Sequence, residues 1–147
     1  MKIYKEMDSI PMGELSSKYQ KIQELQKQNV DIKGWIKIED THINYPLLQT
    51  DNNDFYLTHN YKKENSVSGS IFIHPNSDLK DKNSNVIIYG HQMDNGTMFG
   101  DLHQYKEKSF YEKHQKITII TEDTQADYEI VCVFKSRVFY QDEKDVF

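Results

Sequence analysis

Among the side chains able to move protons or attack a carbonyl, His91 has the most defined setting. It ends the run Asn85-Val-Ile-Ile-Tyr-Gly-His91. Val86 to Tyr89 are consecutive apolar or aromatic residues, a pattern that predicts a buried strand. Gly90 then lets the backbone turn, leaving His91 where the strand meets solvent. Imidazole titrates near neutral pH, so a histidine fixed at the edge of a core can give or take a proton under physiological conditions. The same setting also suits a structural or merely exposed histidine, and the pattern leaves both readings open.

Cys132 is the only cysteine and therefore the only thiol nucleophile within the sequence. It lies between Val131 and Val133 and, on a strand, shares a face with Ile130 and Phe134. That context predicts a small buried hydrophobe, whose thiol apolar surroundings would make inert. Arg137, the only arginine, could stabilise an oxyanion with directed donors. Five residues after Cys132, it projects to the opposite face of an ideal strand, so the two do not converge on one carbonyl without a bulge.

The remaining histidines, His42, His59, His74, His103 and His114, show no H-x-H or H-x-x-x-H spacing. With a single cysteine this predicts no metal site, no other cofactor and no intramolecular disulfide. Asp51 to Asp54 fails as a calcium loop, because Phe55 and Tyr56 stand where a ligand and a glycine are needed. No phosphate-binding loop, dinucleotide fingerprint or G-x-S-x-G occurs. Asn95-Gly-Thr97 has the form of a glycosylation acceptor but fits a turn better.

Composition bounds the partners. The chain of 147 residues carries 23 acidic and 18 basic residues, a net charge of -5. The lysines are scattered, which argues against nucleic acid, since phosphate binding needs a concentrated basic face. No run reaches the roughly 18 apolar residues of a membrane helix, and Met1 to Met7 contains no signal-peptide core. The sequence thus predicts a soluble globular chain with a real core.

The elements that must position these residues follow from periodicity. Leu15, Tyr19, Ile22 and Leu25 form a narrow helical stripe between about 13 and 29, with residues 1–12 a leader before it. Gly34 to Ile38 predicts a first strand with Trp35 as a core anchor. Ile43-Asn44-Tyr45 follows a turn, and Pro46 should limit further pairing. Phe55-Tyr-Leu57 suits a short inward-packing turn, Gly69 to Ile73 a strand, and Asp94-Asn-Gly96 a tight turn. Met98, Leu102 and Tyr105 are spaced as a short helix, with Phe110 and Tyr111 in another. Lys116 to Thr121 predicts a strand and Asp127 to Tyr140 a long one, with Tyr128, Ile130, Cys132 and Phe134 on one face. The sum is an α+β domain, mostly β, of sandwich or barrel type.

Several segments in combination resemble class B sortases. They are Gly34-Trp-Ile-Lys-Ile38, Thr41-His-Ile-Asn-Tyr-Pro46 with Gln49, Asp51-Asn-Asn-Asp-Phe-Tyr-Leu57, Ser68-Gly-Ser-Ile-Phe-Ile73, and above all Asn85 to Leu102. The resemblance runs from about Leu15 onward and implies a single sortase-like β-barrel domain over 1–147, with an N-terminal helix and short helical insertions. It implies a cysteine transpeptidase on the outer face of a Gram-positive membrane. Such an enzyme cleaves a C-terminal sorting motif through a thioester and passes the product to an amine of the peptidoglycan cross-bridge. His91 matches the family histidine, held to protonate the leaving amine.

The family cysteine follows a T-L-x-T-C stretch, with an arginine later still. Neither stretch occurs among the 147 residues. Cys132 follows Tyr-Glu-Ile-Val and does not match. The reading is therefore of a barrel incomplete at its C-terminal end, inactive by itself, whose open strand edges invite a dimer. The rival reading is a truncated sortase-like pseudoenzyme that binds a peptide or a partner. A third reading, in which Cys132 and His91 act together, requires a reactive thiol at Cys132.

Overall fold

The structure, a computed structural model, describes residues 15–81 and 84–136. The leader (1–12) and Arg137 lie outside them. Helix α1, Leu15–Gln28, buries Ile22 and Leu25 on the sheet, with Tyr19 half-buried beside them. Lys27 in its last turn complements the negative end of the helix dipole. Asn29 ends the helix. Its N–H donates to the Leu25 carbonyl at 3.0 Å, and its buried amide donates to the Tyr56 hydroxyl at 2.8 Å and the Tyr61 carbonyl at 2.7 Å.

Six strands form one curled half-barrel sheet. They are β1 (Ile32–Lys37), β2 (Asn44–Leu48), β3 (Ile71–Ile73), β4 (Ile88–Tyr89), β5 (Lys116–Ile120) and β6 (Gln125–Glu129). Their order is β4-β3-β2-β1-β5-β6. Among these strands only the β2–β3 pair is parallel. The crossover between those two strands contains the 3-10 turn Phe55–Leu57. After β4 come a second 3-10 segment, Gly100–Lys106, and helix α2, Lys108–Lys113.

Alternation along the strands sends side chains to two cores. Trp35, Leu48, Phe72 and Ile120 pack with α1 and Tyr56. Their neighbours Ile36, Leu47, Ile71 and Ile119 pack on the other face with Tyr45, Met98 and Tyr105. The register agrees with this: Trp35 pairs with Ile120, Ile36 with Ile119, and Leu48 with Phe72. A strand of period two whose residues are all apolar needs cover on both faces, and the central strands have it.

Three expectations change. The run Val86 to Tyr89 is not a buried strand. Only Ile88 and Tyr89 pair, with β3 alone, and Ile87 is 42% exposed. Among the described residues β4 is an edge, so one flank has no ladder to bury it. The long strand from Asp127 to Tyr140 shrinks to Gln125–Glu129, with 137–140 outside the described residues. β6 is the other edge, and of its predicted inward face only Ile130 is buried, whereas Tyr128, Cys132 and Phe134 are exposed. Pro46 sits inside β2 rather than at an outer strand, opposite Trp35, and the ladder to β3 starts at the next residue, Leu47.

Candidate active site

His91 follows β4 by one intervening residue, Gly90, and is half-buried. Its Nε2 lies 2.7 Å from the carbonyl oxygen of Leu57. A carbonyl can only accept, so the ring donates and Nε2 carries a proton. Leu57 is fixed because Tyr56, beside it, is 1% exposed. The Tyr56 hydroxyl donates to Asp31 at 2.8 Å and takes the Asn29 amide. Burial, foremost, raises the Tyr56 pKa and keeps the hydroxyl protonated. The loop that orients His91 is thereby tied to the end of α1.

Gly90 does not serve to turn the chain, since its φ is not among the positive ones. A side chain there would collide instead: an added Cβ would come within 2.3 Å of Ile71 Cδ1 and 2.8 Å of Phe99 Cδ2. The glycine lets β4 lie close against β3 and the Phe99 ring.

Beyond His91 the chain folds into a small hairpin. Gln92 bridges Met98, and the Phe99 N–H donates to the His91 carbonyl at 2.9 Å. In its turn, Asn95 accepts from the Thr97 N–H and hydroxyl, so the acceptor-like triplet is a turn by its hydrogen bonds. Met98 takes the unusual φ of 54°, held by its N–H donating to the buried Tyr45 hydroxyl at 2.9 Å. Burial, more than any other cause, pushes the Tyr45 pKa up.

A second pin was not legible in sequence. Asp101, 5% exposed, accepts both the His42 N–H at 2.7 Å and its ring Nδ1 at 2.9 Å. It also accepts the Gln104 amide at 2.9 Å. Burial raises the Asp101 pKa, but those donors outweigh it and leave the carboxyl below its ordinary 3.8. Nothing in the spacing couples His42 to a residue 59 positions later.

Two clefts flank the hairpin. One of about 650 Å³ is lined by His42, Tyr45, Ser68, Thr97 and Met98 among others. The other, about 260 Å³, lies between Gly90, Gln92 and Phe99 and the segment Val133 to Lys135. Cys132 is exposed and lines neither. The expected burial of its thiol is therefore wrong: Val131 and Phe134 around it are themselves 86% and 81% exposed. His59 stacks on Phe55 and His114 on Phe110, both structural placements. Among the described residues no three His, Cys, Asp or Glu side chains converge as metal ligands. No helix among them is long and apolar enough to cross a membrane.

The curled sheet is the fold of a known family. The sortase domain model matches residues 36–147, and the chain belongs to the sortase family. Within it the similarity is to class B. Sortase B of Listeria monocytogenes is 41% identical over 125 residues, covering 84% of this chain and 51% of that protein. The structure of sortase B from B. anthracis in complex with AAEK1 matches at a TM-score of 0.77 with 34% identity, covering 97% of this chain and 71% of that one. The Staphylococcus aureus sortase B–substrate complex and a sortase B complexed with triglycine each match at 0.76 and 34% identity, over 87% of this chain and 58% of theirs. The chain spans about half the length of the curated relatives it matches.

Proposed function

We propose that this chain supplies the proton-donating part of a class B sortase transpeptidase, with His91 as its general acid. The single observation that carries the reading is the half-buried His91 ring, held with its Nε2 2.7 Å from the Leu57 carbonyl oxygen. A general acid needs that kind of fixed orientation at a solvent boundary. The family's chemistry is attack of a cysteine thiolate on the threonine carbonyl of a sorting motif. Collapse of the tetrahedral adduct then releases an amine, which His91 protonates, and a peptidoglycan amine resolves the thioester. Related sortase B structures hold a substrate in one case and triglycine in another, which supports a peptide and an amine as the two partners. The working location is the outer face of a Gram-positive membrane.

The T-L-x-T-C stretch does not occur in these 147 residues, and an enzyme without its nucleophile keeps little activity. The chain by itself is therefore inactive toward a sorting-motif peptide. A quenched fluorescent peptide carrying such a motif tests this. Turnover by the 147-residue chain that disappears in Cys132→Ala would overturn it and favour Cys132 and His91 as a pair. Tight peptide binding without turnover, together with a stop codon directly after Phe147, would favour the pseudoenzyme module. An open frame encoding T-L-x-T-C and a later arginine would favour the transpeptidase.

A further inference from the structure

Gly69 has φ +57°, and a Cβ built on it would lie 2.5 Å from the Tyr56 carbonyl oxygen and 2.6 Å from that of Leu57. Real Cβ atoms do not approach carbonyl oxygens so closely. The glycine therefore sits directly against the carbonyl that accepts from His91. The neighbouring residues lock this contact. The Ser70 N–H donates to the Tyr56 carbonyl at 2.8 Å and the Gly69 N–H to the Ser66 carbonyl at 3.2 Å. The Ser70 hydroxyl donates to the His59 carbonyl at 2.8 Å. The segments 55–59 and 66–70 are thus laced together, and the only side chain small enough at their closest point is a hydrogen atom.

From this we infer that Gly69 is a positioning residue, which lets the Leu57 carbonyl accept the Nε2–H hydrogen bond of His91 and so makes Nδ1 the nitrogen that exchanges protons with substrate. The inference rests on the reading of His91 as the general acid. The nitrogen held by a fixed acceptor keeps its hydrogen, and the other becomes the working atom. In the protonated ring the Nδ1–H bond breaks, an N–H bond forms on the leaving amine, and the ring returns to its neutral Nε2–H form. Nε2 never changes state.

The test is long-range nitrogen NMR on the labelled 147-residue chain, with His91 assigned by the signal lost in His91→Gln. The expected result above neutral pH is a single Nε2–H tautomer at His91. A dominant Nδ1–H form, or averaging between the two, overturns the inference. Gly69→Asn separates the Cβ contact from backbone strain, because asparagine tolerates the left-handed region. In that variant the single-tautomer signature is lost, whereas Ser68→Ala keeps it. A folded Gly69→Asn with the wild-type tautomer removes Gly69 from the role. If the variant does not fold, the wild-type tautomer alone decides. A transpeptidase assay on a form of the enzyme that carries the T-L-x-T-C cysteine, showing no need for His91, would instead sink the general-acid reading and leave the tautomer result standing.

Discussion

Cys132 and Asp101 show how far a side chain's neighbours in space can depart from its neighbours in sequence. The apolar residues around Cys132 suggest a buried and inert thiol, yet the thiol is exposed on the segment that follows β6. A thiol reagent should modify the native chain at a rate within a few-fold of the urea-unfolded chain. Protection of about tenfold or more would contradict the exposure. Asp101 gives a prediction with a definite sign. Its carboxyl is held below 3.8 in the folded state, so its stabilisation is complete above that value and is lost as pH falls through the depressed one. Asp101→Asn should cost about 1–3 kcal/mol at neutral pH, because it replaces a charged acceptor for the His42 amide. It should also flatten the loss of stability between about pH 5 and about pH 3. Urea midpoints of both proteins at the two pH values measure this, and parallel pH curves would contradict it.

At the scale of elements, α1 and the Phe55–Leu57 turn work as one support. Ile22 is fully buried under the helix, so Ile22→Ala should destabilise by about 2–5 kcal/mol, read as a drop in the urea midpoint. The polar link is more specific. Asn29, Tyr56 and Asp31 form a chain of hydrogen bonds from the helix end to the turn that carries the Leu57 carbonyl. Asn29→Ala and Tyr56→Phe should each cost about 1 kcal/mol or more. In a double-mutant cycle their effects should fall short of additivity by about 0.5 kcal/mol or more. Strict additivity would mean the two side chains act independently. The sequence shows the helix by its stripe and the turn by the apolar Phe55-Tyr-Leu57. It does not show that one buttresses the other, because Asn29 and Tyr56 are 27 residues apart.

For the molecule as a whole, the sheet has two edges among the described residues, β4 and β6. Beyond β6 the apolar side chains of Val131 and Phe134 face solvent. Exposed strand edges beside apolar side chains are templates for pairing with another chain. The 147-residue chain should therefore self-associate with rising concentration in sedimentation experiments. Val131→Lys with Phe134→Lys should shift that equilibrium toward monomer. An unchanged sedimentation profile would show that this surface takes no part.

The sequence by itself determined the class of fold, the strands built around Trp35, Phe72 and Ile119, and the loop position of His91. Those features are local: two-residue and 3.6-residue periodicities and turn residues act over a few positions. Only the tertiary structure decided that Leu57 faces His91, that His42 and Asp101 are partners, that Gly90 and Gly69 are needed for close approach, and that Cys132 is exposed. These depend on which strands become neighbours and which become edges. Burial belongs to a position in the sheet, and an apolar run such as Val86 to Tyr89 does not record whether another layer will cover it.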